Sequence, residues 1–378
     1  MSNSDMSAQS AASGGEHKFS WRWSLGDLAK VKKNGLKVFS CFSCGGGSSL
    51  GYKLAGFDVV GCCEIDPAMM EVYKANNHPR YSFLMDVRDF AKLEDLPEEL
   101  YDLDVLDGSP PCSVFSMAGA RDHGGWNREK VFREGQKKQR LDDLFFAFID
   151  VAAKLQPKVV IAENVKGLIT GKAKGYVNEI IKGFDAAGYK AQVFLFNAAK
   201  MGVPQSRERV FFIGQRKDLE PVKLSMSFNE PVIRFGEFRS ESGEPISDDS
   251  VVGRMLKYIS PADVKMTSVA ERVMNKENSY FSTQISQDER VPHTLTSSGL
   301  YIRACDRMAY SKHDIISCQS FPYDYDFLSN KPQYVCGMSV PPVMMANIAS
   351  EVYDQIFKGR SDGKDDAAAA GRHSAGEG

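Results

Sequence analysis

One pattern near the start of the chain restricts the fold more than any other: an apolar strand, a glycine turn, a helix and a second strand follow one another. Leu36–Phe42 is predicted as a buried strand, Ser43–Gly47 as the turn and Ser48–Ala55 as the helix. The second strand is predicted over Phe57–Cys63. Two strands joined through a helix pair in parallel, so this pattern indicates an α/β fold.

The alternation continues along the chain. Strands are predicted at Asp104–Leu106 and Lys158–Ala162, Gln192–Phe196 and Arg209–Gly214 are predicted as a hairpin, and a closing helix is predicted over Pro342–Phe357. A further amphipathic helix carries apolar residues at helical spacing, namely Leu141, Leu144, Phe145, Phe148, Ile149, Ala152 and Leu155. The predicted fold class is α/β: a doubly wound, Rossmann-like, mostly parallel sheet with a second, smaller domain.

Changes in composition predict the domain boundaries. Residues 1–17, rich in Ser, Ala and Gly, and residues 361–378 are predicted as a disordered head and tail. The alternation fills residues 18–217 and breaks off in the polar stretch that follows. Residues 218–300 are therefore predicted as the smaller domain, and residues 301–360 as a return segment that completes the larger one.

The composition argues against two classes of protein. No apolar run approaches the ~20 residues that a membrane span needs, and the polar start lacks the pattern of a signal peptide. The net charge of −2 argues against a strongly basic nucleic-acid binder, although local charge matters more than the sum. We therefore expect a cytoplasmic protein without membrane association, in which the 8 cysteines are reduced.

Positive charge is concentrated in two stretches. One contains Arg121, Arg128, Lys130, Arg133, Lys137, Lys138 and Arg140, and the other contains Arg207, Arg209, Arg216 and Lys217. Each stretch is either a surface that contacts phosphates or a solvated face, and the charge count alone slightly favours a solvated face.

The glycine turn and two carboxylates indicate a cofactor site. Gly45-Gly46-Gly47 lies between a strand and a helix, where a ligand can approach the backbone closely and the helix N-terminus favours an anionic group. Glu64 ends the next strand, at the roughly 20-residue distance typical of a carboxylate that holds ribose hydroxyls. Asp86 is a third candidate, for an adenine amino group. These residues predict an adenosine-containing cofactor; the alternative is an ordinary tight turn.

Ser109-Pro110-Pro111-Cys112 is the candidate nucleophile segment. It follows a buried strand, and its two prolines stiffen the backbone before a single thiol. The alternative is a structural cysteine, which would sit more comfortably inside a strand or helix. Cys41 and Cys44 form a C-x-x-C pair, but zinc would need two more ligands at suitable spacing, so no metal site is predicted.

Three further side chains could form hydrogen bonds with a polar ring. Glu163 directly follows a buried strand and, when protonated, could donate a hydrogen bond to a ring nitrogen. Arg207 and Arg209 stand at i and i+2 of an extended segment, so both point to the same side. The alternative for Glu163 is a residue that forms a salt bridge or caps a helix. The alternative for Arg207 and Arg209 is a surface strand with salt bridges.

These pieces fit one reaction, the modification of carbon 5 of cytosine. Addition of the Cys112 thiolate to carbon 6 would break the ring conjugation and make carbon 5 nucleophilic. Glu163 would stabilise the charge at N3, and Arg209 would hold O2. The base would have to leave the helix stack. An enzyme that methylates an amino group would need no such thiol, and an aromatic residue would be expected where Cys112 stands.

Taken together, the motifs from Lys37 to Phe357 resemble the DNA cytosine-5 methyltransferase family of bacterial or phage type. The segments that carry the resemblance are Phe42–Gly51, Glu64-Ile65-Asp66, Met85-Asp86-Val87, Ser109-Pro110-Pro111-Cys112, Ala162-Glu163-Asn164-Val165, Gln205-Ser206-Arg207-Glu208-Arg209, Pro292-His293-Thr294-Leu295-Thr296 and Gly337-Met338-Ser339-Val340-Pro341-Pro342.

The resemblance implies S-adenosyl-L-methionine as the cofactor and double-stranded DNA as the partner of a chain expected to be a monomer. It makes residues 18–217 the catalytic, cofactor-binding domain and residues 218–300 the target-recognition domain. The catalytic residues implied are Cys112, Glu163, Arg207 and Arg209. The cofactor contacts implied are Phe42, Cys44, Gly45, Gly46, Gly47, Glu64, Ile65, Asp86, Val87, Pro110, Met338, Ser339 and Val340. The predicted DNA contacts are Ser113, Ser116, Arg121, Arg128 and Lys130.

Three positions depart from the usual pattern of this family. Cys44 and Met338 replace a glycine and an asparagine near the methionine end of the cofactor, and Ser113 replaces a glutamine. Sequence drift with the ordinary cofactor is one explanation. The other is a modified sulfonium from which a group other than methyl is transferred.

Other interpretations also stay open at this stage. They are a tRNA cytosine-C5 methyltransferase, a catalytically silent DNA-binding homologue and, more distantly, a nicotinamide-dependent dehydrogenase, which would give Cys112 no role. A restriction–modification system with a cognate endonuclease is also left open.

Overall fold

The computed structural model describes residues 17–111, 129–130, 139–140, 143–170, 174–274 and 281–359, with only the backbone of residues 129–130, 139–140 and 174. The predicted tail and residues 1–16 of the predicted head therefore lie outside the described residues, as does Leu141 of the predicted amphipathic helix.

A seven-stranded sheet forms the centre of the fold. All strands in the described residues, including those outside this sheet, are β1 (Lys37–Cys41), β2 (Asp58–Glu64), β3 (Tyr81–Leu84), β4 (Val105–Gly108), β5 (Glu129–Lys130), β6 (Gln139–Arg140), β7 (Val159–Val165), β8 (Tyr189–Asn197), β9 (Glu208–Arg216), β10 (Gln284–Ser286) and β11 (Tyr301–Arg303). The main sheet has the order β3-β2-β1-β4-β7-β9-β8, and the pairs β5–β6 and β10–β11 form two small sheets.

Most of the main sheet is parallel. The pairs β2–β3, β1–β2, β1–β4 and β4–β7 are parallel, whereas β9 runs antiparallel to both β7 and β8. The predicted mostly parallel, Rossmann-like sheet is thus confirmed, as is the hairpin at its edge. The sequence patterns had not indicated β3.

Helices cover both faces of this sheet. They are α1 (Gly47–Leu54), α2 (Pro67–Asn77), α3 (Val87–Phe90), α4 (Leu144–Leu155), α5 (Lys174–Ala186), α6 (Val251–Met255), α7 (Met266–Met274), α8 (Lys312–Cys318), α9 (Pro332–Met338) and α10 (Pro342–Val352), which a π-helical turn over Tyr353–Phe357 extends. The helix α2, which the sequence patterns also missed, begins with standard signals: the Asp66 carboxylate accepts the N–H of Ala68, and Pro67 occupies the first turn.

Alternate residues of the strands point into two different cores. Leu106, Val160 and Ala162 pack with Phe148 of α4 and Phe184 of α5 on one face. On the other face, Val105 and Ile161 belong to a core with α1 and α10. Each large apolar side chain that is fully buried in this way contributes about 1.5–3 kcal/mol, so both faces hold the sheet rigidly.

The segment predicted as the smaller domain contributes to two clusters. Phe235 and Phe238 pack with Trp23 and Leu50 of the segment predicted as the larger domain. A separate small cluster is formed by Met255, Leu256, Met266, Val269, Ala270, Ile285 and Ile302. Across the described ranges, no helix is long and apolar enough to cross a membrane.

Candidate active site

The sheet brings the predicted motifs to one edge. The strands β1, β2, β4 and β7 run parallel, so the turns that follow them lie side by side. The antiparallel strand β9 begins at this same edge. The strand β7 is longer than predicted, because its pairing with β9 continues to Val165 opposite Arg209. Glu163 therefore lies inside the strand and does not follow it.

The glycine turn packs against the C-terminal part of the chain. A Cβ atom on Gly45 would lie 2.3 Å from a methyl group of Val335, and one on Gly47 would lie 2.3 Å from the carbonyl oxygen of Val340. Real Cβ atoms do not approach other atoms this closely. The glycines are thus needed for packing of the protein against itself, in addition to any close approach by a ligand.

Cys44 adopts a backbone conformation that favours glycine. Its φ of 45° lies in the left-handed region, which gives a physical reason for the glycine that the family usually has here. Burial raises the pKa of Cys44 to about 12, and a Cβ atom on Gly47 of the same turn would lie 2.9 Å from the Cβ of Ser339. The neighbouring Met338 is 39% exposed. The two unusual residues therefore lie on segments that meet.

Five predicted cofactor residues line one cleft. The cleft is lined by Phe42, Cys63, Glu64, Ile65, Met85, Asp86, Val87 and Leu144. Its walls are mostly apolar, and its two carboxyl groups lie on adjacent strand ends. This combination fits a flat base between apolar side chains, with hydroxyl or amino groups at its rim.

Glu64 is held in place by backbone donors. Its Oε2 accepts the N–H of Cys44 at 2.8 Å, and its Oε1 accepts those of Ile65 and Asp66, both at 2.9 Å. A carboxylate has about four acceptor sites, so one remains for a ribose hydroxyl. Burial raises the pKa of Glu64, against the effect of these three donors.

Asp86 is engaged by its own helix. Its Oδ1 accepts the backbone N–H and the Nε of Arg88, both at 2.9 Å, and its Oδ2 accepts Nη2 at 2.6 Å. Burial alone would raise the pKa of Asp86, but the hydrogen bonds and charge of Arg88 outweigh it and lower the pKa. An adenine amino group would therefore be a further donor to an already fixed carboxylate.

The proline turn before Cys112 is tied to the strand of Glu163. The side-chain amide of Asn164 donates to the carbonyl oxygen of Pro110 at 3.0 Å, and both residues are buried. This bond places the start of the candidate nucleophile segment beside β7. Pro110 does not line the cleft described above. Cys112 itself lies outside the described residues.

Glu163 and Arg209 form an ion pair across β7 and β9. The Nε of Arg209 lies 2.9 Å from Oε1 of Glu163, and both side chains are nearly buried, at 14% and 11% exposed. The Nη1 of Arg209 donates to the carbonyl oxygen of Glu208. Burial lowers the pKa of Arg209, and Glu163 opposes this. Of the alternatives for Glu163, the salt bridge is the one observed.

Arg207 has a different environment although it stands only two residues away. Its Nη1 donates to the carbonyl oxygen of Leu295 at 2.8 Å, and its Nη2 donates to those of Gly337 and Ser339, both at 3.1 Å. Among the described residues no carboxylate forms an ion pair with it. Burial and the neighbouring Arg209 lower the pKa of Arg207 to about 9.

The predicted DNA contacts fall almost entirely outside the described residues. This is true of Ser113, Ser116, Arg121 and Arg128. Only the backbone of Lys130 is described, in β5. In the second basic stretch, Arg216 and Lys217 form ion pairs with Asp218 and Asp185.

Comparison with known proteins decides the family. Residues 36–354 match the family described as C-5 cytosine-specific DNA methylase. The chain belongs to this family. The strands and turns that form this edge of the sheet all fall within the matched range. The candidate site therefore lies inside the domain that defines the family.

Several relatives of this methylase are Type II methyltransferases. M.NgoPII of Neisseria gonorrhoeae is 38% identical over 192 residues, which are 51% of this chain and 51% of that protein. M.FnuDI of Fusobacterium nucleatum is 38% identical over 184 residues, 49% of this chain and 48% of that one. The match spans about half the length of these two curated relatives. M.NgoFVII of Neisseria gonorrhoeae is 27% identical over 343 residues, 84% of this chain and 86% of that one.

Solved structures share the fold of this methylase. A DNA modification methyltransferase encoded within an E. coli prophage has a TM-score of 0.59 at 21% identity and covers 84% of this chain and 99% of its own. The DNMT2 protein of Spodoptera frugiperda has a TM-score of 0.57 at 16% identity, with the same coverage. At these identities the likeness concerns the fold alone.

Two residues of this methylase that bear on the site were missed in the sequence. Asn164 was read only as part of a motif, although its amide holds the proline turn. Asp107 was not singled out at all, although it is buried on β4 and bound by hydroxyl groups. A carboxylate between Leu106 and Gly108 in an apolar strand was the available signal.

Proposed function

We propose that the protein is a DNA cytosine-C5 methyltransferase that uses Cys112 as a covalent nucleophile. The observation that carries the proposal is the hydrogen bond from Asn164 to Pro110, which joins the segment of Cys112 to the strand of the Glu163–Arg209 pair. Family membership supplies the reaction class, and this contact supports the meeting of nucleophile, acid and cation at one edge of the sheet.

In the proposed mechanism, Cys112 adds as a thiolate to carbon 6 of the cytosine. Glu163, which takes up a proton from solvent before the addition, delivers it to N3, so that the negative charge of the adduct does not remain on the ring. Arg209 engages Oε1 of Glu163 through Nε and the carbonyl of Glu208 through Nη1, which leaves Nη2 to hold the O2 atom of the base. After transfer at carbon 5, a base removes the C5 proton, the thiolate of Cys112 leaves, and the N3 proton returns to the carboxylate of Glu163, so that a neutral base is released.

Arg207 would act on the geometry of the site. Its three carbonyl partners lie near the end of the proposed target-recognition domain, at Leu295, and in the last motif, at Gly337 and Ser339. A guanidinium with five donors in a rigid plane can hold such separate segments together. We therefore propose Arg207 as a positioning residue and retain Cys112, Glu163 and Arg209 as the groups that contact the base.

The cofactor proposed is S-adenosyl-L-methionine. Phe42, Ile65 and Val87 would enclose the adenine, with Asp86 at its amino group and Glu64 at the ribose. The methionine part would lie against the segments Cys44–Gly47, Pro110 and Met338–Val340. When bound, this cofactor supplies an electrophilic methyl group.

Duplex DNA is the proposed substrate. The target cytosine would be flipped out of the helix, with Ser113, Ser116, Arg121, Arg128 and Lys130 contacting the DNA and residues 218–300 recognising the target sequence. We propose that the chain acts as a monomer in the cytoplasm. The alternative, a tRNA substrate, is tested by comparing methyl transfer to duplex DNA and to tRNA; transfer to tRNA alone would overturn the DNA proposal.

The decisive experiment is covalent trapping. Duplex DNA that contains 5-fluorocytosine in the target site, with cofactor present, should form a protein–DNA adduct that survives denaturation, because fluorine cannot leave carbon 5 as a proton does. Cys112→Ser should form none, and the control Cys305→Ser, at an exposed free cysteine, should form as much as the wild type. An adduct that persists in Cys112→Ser would refute the mechanism.

A modified sulfonium is the second candidate cosubstrate. The observation that favours it is the close packing of the turn of Cys44 against Ser339, beside Met338, because both unusual residues then lie on segments that meet. Mass spectrometry of digested DNA from expressing cells tests this proposal. A mass increase on cytosine different from one methyl group would support it, and 5-methylcytosine alone would refute it.

A further inference from the structure

Asp107 is a buried acid in the strand that leads to the catalytic segment. It lies on β4 with 2% of its surface exposed, opposite Ser40 of β1 and Ile161 of β7. Because strand residues alternate between faces, Asp107 shares the sheet face of Ile161 and, one step nearer the active edge, of Glu163. Nothing in the mechanism above uses this carboxyl group.

Three hydroxyl groups converge on the Asp107 side chain. The hydroxyl of Ser40 donates to Oδ2 at 2.8 Å, and those of Ser48 and Tyr52 donate to Oδ1 at 3.3 and 3.4 Å. Ser48 and Tyr52 belong to α1, the helix that begins directly at the glycine turn. The Asp107 carboxyl therefore joins the strand that leads to Cys112 with the helix that carries the cofactor loop.

Burial makes the ionisation of Asp107 sensitive to pH near neutrality. Burial raises the pKa of Asp107 to about 7, the three hydroxyl donors oppose this, and Glu163 raises it further. The other titratable groups that interact with it are Cys41 of β1, Tyr52 of α1 and Tyr73 of α2, whose pKa values are all raised, so all are neutral. Among the described residues no cation pairs with Asp107.

The two protonation states of Asp107 have different hydrogen-bonding capacities. An ionised carboxylate accepts from all three hydroxyl groups at once. A protonated carboxyl must donate its own proton, so one hydroxyl has to turn and accept. The ionised state therefore holds α1 more firmly against β4.

We propose that Asp107 is a positioning residue whose ionised carboxylate aligns the glycine loop of the cofactor site with the strand that leads to Cys112. This inference rests on the proposed function, since it assigns the loop to S-adenosyl-L-methionine. Asp107 touches neither the base nor the reacting atoms, and it acts through Ser48 and Tyr52 on α1.

The test measures binding of S-adenosyl-L-methionine by calorimetry, from about pH 6 to about pH 8.5, for wild type and Asp107→Asn. At the acid end Asp107 is protonated and resembles asparagine, so the two dissociation constants should agree. At the alkaline end the variant should bind about tenfold more weakly, the loss expected for a charge-assisted hydrogen bond. Steady-state kinetics should show the same divergence in KM for the cofactor.

The matched control is Asp104→Asn. Asp104 is also a buried acid, directly before β4, but its partners are the backbone N–H of Lys37 and the Nζ of Lys158, away from the site. This variant should be less stable than the wild type. The ratio of its dissociation constant for the cofactor to that of the wild type should not change with pH. A constant ratio for Asp107→Asn as well would overturn the inference.

If Asp107→Asn does not fold, Tyr52→Phe tests the same positioning role of Asp107. Loss of one hydroxyl donor removes support for the ionised carboxylate, so the midpoint of the pH dependence of cofactor binding should move to higher pH. An unchanged midpoint would contradict the inference. A wild-type protein that neither binds the cofactor nor methylates DNA would instead overturn the proposed function, so the two failures are distinguishable.

Discussion

Replacement of Arg207 by methionine tests whether this buried arginine holds the fold together. Methionine keeps an unbranched apolar stem in the same space but has no donors. The carbonyl oxygens of Leu295, Gly337 and Ser339 would then lose this donor. Within the described residues, only the Ser339 carbonyl would retain a second donor, Nε2 of Gln319.

The expected loss of stability can be calculated from these contacts. Loss of a charged donor from a buried acceptor costs about 1.5–3 kcal/mol, and two carbonyls are affected most. Against this, the variant removes a buried cation whose Nε has no hydrogen-bond partner within the described part of the chain. We expect a net loss of about 2–4 kcal/mol in the free energy of unfolding, a large part of the about 5–15 kcal/mol typical of a native protein.

Urea unfolding followed by circular dichroism measures this loss. Arg207→Lys should lose about half as much, because an ammonium group cannot span all three carbonyls. The control is Arg216→Met, at the end of β9, where an exposed ion pair with Asp218 should contribute at most about 1 kcal/mol. If Arg207→Met unfolded at the same urea concentration as Arg216→Met, the role of Arg207 as a clamp between segments would be refuted.

Three further variants probe the site. Glu163→Gln should keep its hydrogen bond with Arg209 but slow methyl transfer by about 10²–10⁴-fold in single-turnover assays, because an amide cannot protonate N3; a rate within twofold of wild type would argue against the assigned role. Cys44→Gly should raise the free energy of unfolding by up to about 1 kcal/mol, since it relieves a left-handed φ; a lower thermal midpoint would contradict this. The pKa of Asp107 is about 7 in the folded protein, above the ordinary value of 3.8 that applies to the unfolded chain. The protonated carboxyl therefore stabilises the fold fully below pH 3.8, and this stabilisation is lost as the pH rises through about 7. Chemical unfolding at pH 5 and pH 8 should therefore show wild type losing about 2–3 kcal/mol relative to Asp107→Asn.

Local patterns in the sequence were sufficient for much of the sheet. The strands and turns around the glycine loop, Cys112 and Glu163 are marked by alternation of apolar runs with helices, and these signals depend only on residues close in the chain. The structure confirms them with small shifts at their ends. The strand β3 was missed because its four residues alternate between half-buried and exposed, without an apolar run.

Contacts between distant segments could not be obtained in this way. The bond from Asn164 to Pro110 and the convergence of Ser40 and Tyr52 on Asp107 depend on which strands and helices become neighbours. The same is true of the close packing of Gly45 and Gly47 against Val335 and Val340. A single sequence contains no direct signal for such pairs.

The sequence by itself determined the α/β class, the order of the motifs and the chemical types of the candidate groups, because periodicity and side-chain chemistry are local properties. Only the tertiary structure decided what each group contacts. Arg207 and Arg209 look alike in the sequence, yet one binds three backbone carbonyls and the other pairs with Glu163. The physical reason is that the partners of a buried charge come from segments far away in the chain, and their positions are set by packing of the whole fold.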